Sequence, residues 1–151
     1  MIEVRAQLTI DQPADRVWSF AAEIARHPDW MSVTSAESLQ GTGTHVGDRG
    51  RERMRFGPWA SYAEFTVVAA DPGRLIAWRP GKGSLFTGDL VLELESLGPS
   101  QTRATYGGSF SLRGLLRAVE PLFAGEAKQG MTKELRRLKD AVEATPMTSA
   151  G

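Results

Sequence analysis

Acid–base chemistry is the first thing to look for in this chain, which has no cysteine and only two histidines. Thiolate catalysis, disulfides and cysteine-held zinc are thereby excluded. Glu52 is the carboxylate in the most suggestive place. Residues 46–56 alternate, with Asp48, Gly50, Glu52, Met54 and Phe56 on one strand face and Arg49, Arg51, Arg53 and Arg55 on the other. A carboxyl group on an apolar concave face has its ionised form disfavoured and can act as general acid or base on a ketone. Alternatively, a bulge near Gly50 turns Glu52 outward, or an arginine pairs it. Tyr106 is the second candidate. It shares a strand face with Ala104, Gly108, Phe110 and Leu112, from where its phenol can hold a ligand carbonyl or donate a proton. A buried tyrosine hydroxyl can equally just meet a backbone carbonyl.

The remaining polar features have plainer readings. His27 and Asp29 could form a pair poised near neutral pH, or His27-Pro28 simply ends a helix and Asp29 caps the next turn. Four arginines on one strand face could form an anionic docking stripe, or a solvated face laced with Glu64, Glu93 or Glu95. Gly41-Thr42-Gly43-Thr44 has neither the lysine nor the following helix of a phosphate loop and reads as a hairpin loop. No metal-ligand motif is present, and no metal or other cofactor is expected.

These groups need a frame. Residues 2–10 alternate and predict a half-buried strand. Asp11 offers an N-cap and Pro13 a first turn for a helix over about 13–25 that carries Val17, Trp18, Phe20, Ala21 and Ile24 and ends before His27-Pro28; Asp29-Trp30-Met31 suits a turn or second short helix. Alternation then predicts strands at 33–40, 46–56, 60–70, 74–79, 85–96 and 102–112, joined by turn residues such as Asp71-Pro72-Gly73. From 115 to 143, Leu115, Leu122, Met131, Leu135, Leu138 and Val142 recur at helical spacing, predicting one long amphipathic helix. Pro121 should bend it or mark where its regular part starts. Gly125 and Gly130 either leave room beneath it or permit close packing.

The 151 residues suit one domain over 1–144 with a flexible tail at 145–151. Lys+Arg and Asp+Glu are both 18, so nothing in the charge balance demands nucleic acid. No apolar run spans a bilayer, and no basic-then-apolar leader opens the chain, so a cytoplasmic protein without stable membrane insertion is expected.

Several stretches resemble the START-like, helix-grip superfamily, and within it the bacterial polyketide cyclase/dehydrase and lipid-transport (SRPBCC) group. They are Ile10-Asp11-Gln12-Pro13-Ala14-Asp15-Arg16-Val17-Trp18 followed by His27-Pro28-Asp29-Trp30, then Val46-Gly47-Asp48-Arg49, Val68-Ala69-Ala70-Asp71-Pro72, and Glu134-Leu135-Arg136-Arg137-Leu138-Lys139. The resemblance covers roughly 1–144. It implies an α+β helix-grip fold: a seven-stranded antiparallel sheet wrapped around the long C-terminal helix, with two short helices between strands 1 and 2. It also implies a cavity for a hydrophobic small molecule such as a polyketide, lipid or aromatic metabolite. Met54, Phe56, Phe65, Trp78, Leu90, Leu92, Gly108, Phe110, Phe123 and Met131 are the expected lining. In the alternative, a cyclase- or dehydratase-type enzyme, Glu52 or Tyr106 moves protons. A monomer or homodimer is expected.

Overall fold

The computed structural model describes residues 1–56 and 58–144, with the backbone only of Phe56 and Trp59. The tail at 145–151 and the side chain of Phe56 therefore lie outside the described residues. The strands are β1 (Ile2–Ile10), β2 (Ser35–Gln40), β3 (Arg49–Phe56), β4 (Trp59–Asp71), β5 (Leu75–Pro80), β6 (Phe86–Thr87), β7 (Leu90–Gly98) and β8 (Gln101–Leu112). The helices are α1 (Ala14–Ala22), α2 (His27–Trp30) and α3 (Glu120–Ala144), with short 3-10 segments at Ile24–Arg26 and Gly114–Val119.

All pairings are antiparallel, in the order β1-β8-β7-β5-β4-β3-β2, and the two-residue β6 adds to β8. This is the seven-stranded helix-grip sheet with one short extra strand. Its first two strands in the chain are its two edges, so the helices between them must cross the whole concave face. They close one end of it. Trp18 Nε1 donates to Leu75 O at 2.7 Å and Thr102 Oγ1 donates to Gln12 O at 2.7 Å, tying that crossing to the sheet.

α3 lies along the same face, but only its second half packs. Leu135, Leu138 and Val142 are buried, with Met131 and Ala141 beside them, whereas Pro121 to Glu126 are all exposed. The core is correspondingly one-sided. It gathers Ile10, Val17, Phe20, Ile24, Trp30, Val67, Ile76, Leu92 and Ala104 against the C-terminal half of α3. At about 25 cal/mol per Å² of apolar surface removed from water, this cluster is a large source of folding free energy.

Four local expectations are corrected. The terminal helix is not uniform from 115: residues 114–119 form 3-10 turns and α3 begins at Glu120. Pro121 accounts for this, because a residue without N–H fits the first turn and starts the regular helix there. The predicted strand at 85–96 is split into β6 and β7 at Gly88, which has φ +114°, and where a Cβ would meet Ser109 O at 2.0 Å. Asp11 does not cap α1; Pro13 occupies that position without a side-chain cap, and Asp11 accepts from Gln101 Nε2 instead. His27-Pro28 opens α2 rather than ending a helix, since Pro28 sits in that first turn. Gly125 and Gly130 face open space, so close packing does not explain them.

Candidate functional site

Glu52 faces inward, as strict alternation requires, opposite Ala36 on β2 and Ala63 on β4. Among the described residues no bulge turns it out and no ion pair joins it to an arginine. Its Oε1 lies 2.8 Å from Nδ1 of His27, whose side chain is fully buried. With Glu52 as a carboxylate, which can only accept, Nδ1 carries the hydrogen. Asp29, the partner weighed from sequence, is exposed. The correction has a simple cause: α2 starts at His27, so residue 27 points to the sheet and residue 29 away from it.

Aromatic rings hold the imidazole. Its centroid is 5.4 Å from Phe65, 5.6 Å from Trp78 in an edge-on arrangement and 6.3 Å from Trp30. His27 Nε2, Trp30 Nε1 and Trp78 Nε1 are buried without a hydrogen-bond partner among the described residues. Buried polar atoms are nearly always paired. Three unpaired nitrogens on three touching rings therefore set this nest apart from ordinary core.

Tyr106 stands next to it, its ring 5.3 Å from Trp30. The β1–β8 and β7–β8 registers place it opposite Ala6 and Leu92. Its hydroxyl donates not to a backbone carbonyl but to Glu134 Oε1 on α3, over a long 3.4 Å. Glu134 Oε2 accepts from Ser32 N at 2.8 Å, and Arg137, one turn on, donates to Met31 O and Pro28 O. These contacts clamp the α2 region to the middle of α3.

The electrostatics make this one site. Burial pushes the Glu134 carboxyl up to about 7, with Glu52 adding to the rise against the pull of Ser32 N, Tyr106 and Arg137. Burial first, then Glu134 and Glu52, lift the Tyr106 phenol well above its ordinary value, so it stays a proton donor. Two carboxyl groups, a phenol and an imidazole thus cluster in the low-dielectric interior, with one carboxyl group poised near neutrality. Glu134 was not singled out from the sequence as a site residue. The available signal was a carboxylate inside the apolar stripe of Met131, Leu135 and Leu138.

The expected lining residues divide between two regions. Phe65, Trp78 and Leu92 lie in the closed core. Leu90 and Met131 are half-buried against that core, Met54 is half-buried, Phe110 is buried and Phe123 is exposed. The expected lining is thus shared between the core and the exposed first half of α3. A cleft of about 400 Å³ lies between the start of β1 and the start of α3, lined by Ile2, Glu3, Arg117, Glu120, Pro121 and Ala124. A smaller one of about 80 Å³ lies on the convex face beside Arg5, Glu93 and Gly108. Gly108 is explained by its neighbours: a Cβ there would meet Asp89 O at 2.2 Å, and one on Gly107 would meet Val4 O at 1.9 Å. No bulge is needed for either.

The arginine face is solvated. Arg49 pairs with Glu64 and Arg51 with Glu37, while Glu95 pairs with Arg103. Exposed pairs of this kind contribute little to stability. The glycine-rich stretch at 41–47 is a loop into β3, organised by Asp48, which accepts from Gly43 N and His45 N.

Residues 1–143 match the model of a family described as polyketide cyclase / dehydrase and lipid transport. Among solved structures, the chain is similar to the Zhui aromatase/cyclase from Streptomyces sp. R1128, at 18% identity, TM-score 0.78 and 99% and 97% coverage of the two chains. It is also similar to TTHA0849 from Thermus thermophilus, at 19% identity, TM-score 0.77 and 94% and 97% coverage. The di-domain ARO/CYC BexL from the BE-7585A biosynthetic pathway aligns at 16% identity and TM-score 0.71 over 95% of this chain and 47% of its own. No curated protein matches.

Proposed function

The chain belongs to the polyketide cyclase / dehydrase and lipid transport family, and from that premise we propose that it binds an apolar small molecule carrying a carbonyl group. The apolar body lies against Met54, Leu90, Phe110 and Met131, between the sheet and α3. The carbonyl end reaches Tyr106. The observation that carries this reading is the Tyr106–Glu134 pair, a polar couple set inside the apolar interior between β8 and α3. A polar couple at the inner end of an apolar surface orients a ligand as well as holding it. The aromatase/cyclase and ARO/CYC names of two structural neighbours support a ligand that is aromatic or becomes so.

One observation favours a second reading, catalysis of proton transfer. A carboxyl group near 7 is matched to general acid–base work at neutral pH. Glu134 would take a proton from the carbon beside the carbonyl, while Tyr106 turns its hydroxyl from Glu134 to the oxygen on which charge builds.

Tryptophan quenching by an anthraquinone tests binding, because Trp30 touches Tyr106. Saturable quenching is expected, and it should be lost in Met54→Glu. Absence of quenching, or undiminished quenching in that variant, overturns the reading. Carriage and catalysis then separate: under carriage, Glu52→Gln keeps affinity within a few fold, while Tyr106→Phe weakens it about fivefold through the lost hydrogen bond. Under catalysis, NMR detects exchange of the α-protons of a bound ketone into D₂O, and Glu134→Gln abolishes it.

A further inference from the structure

The open end of the molecule carries an apolar tip that neither the core nor the proposed ligand accounts for. Leu115 is 96% exposed and Leu122 77%. Leu116, Phe123, Leu85 and Phe86 are exposed beside them. Two segments distant in sequence make this one surface. Phe86 pairs with Leu112, and Arg113 N donates to Leu85 O at 3.0 Å, so the β6 loop lies directly against the 3-10 turns of 114–119. Contiguous apolar exposure of this kind marks a docking surface.

The charges around the tip decide between occupants. Lys82, Arg113 and Arg117 are all exposed and make no ion pair among the described residues. Glu120, the acidic residue nearest in sequence, is buried and tied to the amino group of Met1. The tip is therefore leucines and a phenylalanine flanked by exposed cations, of which Arg117 also interacts with the Glu120 carboxylate. A second copy of the chain docked symmetrically would set these cations against their own counterparts. An anionic lipid surface complements both features, burying the apolar side chains at the level of the acyl chains while headgroup phosphates meet the cations. No helix among the described residues is long and apolar enough to cross a membrane, so the contact is peripheral.

We propose that Leu85, Leu115 and Leu122, flanked by Lys82, Arg113 and Arg117, dock the protein on an anionic membrane, with the open half of the sheet–helix face turned toward the lipid.

Co-sedimentation with sucrose-loaded vesicles tests this in 0.15 M salt. The probes are pure phosphatidylcholine and a 7:3 mixture of phosphatidylcholine and phosphatidylserine. The full chain should partition onto the mixed vesicles and about a hundredfold less onto the neutral ones. Each cation removed should weaken partitioning about fivefold, so Arg113→Gln/Arg117→Gln should lower it roughly twenty- to thirtyfold. Leu115→Glu/Leu122→Glu should abolish it. Both positions are solvent-facing, and unchanged circular dichroism and unfolding midpoint would show that the variants fold. Wild type that stays in the supernatant with mixed vesicles overturns the proposal, as does equal pelleting of the leucine variant. So does a concentration-dependent dimer in sedimentation velocity that Leu115→Glu/Leu122→Glu converts to monomer, because the tip would then be a contact between copies.

Discussion

Glu134 titrates near neutrality because the fold buries it, so the protein's stability must register that titration. In the unfolded chain its carboxyl group loses its proton near 4.5, and in the folded protein at about 7. Between those values the native state holds more protons than the unfolded one, and stability falls as pH rises. Below 4.5 both states are protonated and there is no penalty; above 7 the penalty is complete. A separation of this size corresponds to about 3 kcal/mol if fully expressed. Some solvent reaches the side chain, which is half-buried, and screening lowers the expected loss to about 2 kcal/mol. Glu134→Gln removes the titration. Glutamine has one oxygen where the carboxylate uses two, for Ser32 N and Tyr106, so the variant also loses about 1 kcal/mol at every pH. The diagnostic quantity is therefore the difference between variant and wild type as pH changes. Urea unfolding at pH 5, 6, 7 and 8 should show that difference moving by about 2 kcal/mol in favour of glutamine, mostly between pH 5 and 7. A difference constant to within about 0.5 kcal/mol would refute the reasoning, and with it the low-dielectric site.

Two further predictions concern stability. Leu138 is fully buried on α3 and Leu122 is exposed on the same helix, so Leu138→Ala should cost about 2–5 kcal/mol and Leu122→Ala less than about 0.5 kcal/mol, both read from urea midpoints. The glycines should split by environment: Gly125→Ala and Gly130→Ala enter open space within a helix and should each stabilise by about 1 kcal/mol. Gly107→Ala puts a methyl group on the Val4 carbonyl and should lower the melting temperature sharply or leave the protein insoluble.

Alternation and helical spacing sufficed for the β1 face, the inward direction of Tyr106, and the packing of Leu135, Leu138 and Val142, because each follows from local geometry along a single element; for Glu52 they left an outward turn open. The helix-grip fold was legible from the same patterns together with short motifs. The half-lifted course of α3 was not. A stripe of apolar residues shows which face is greasy, and cannot show whether anything stands opposite: Leu122 and Leu138 look alike in sequence and have opposite fates.

Partnership was equally beyond reach. His27 lies next to Asp29 in sequence but bonds Glu52, and Tyr106 bonds a carboxylate 28 residues away. So the chain by itself determined the elements, their inward faces and the residue types available for acid–base work. Only the tertiary structure decided which of those residues meet, which carboxyl group is driven toward neutrality, and where the apolar surface remains uncovered. The physical reason is that spacing acts within an element, whereas burial, pairing and dielectric depend on what the rest of the fold brings to face it.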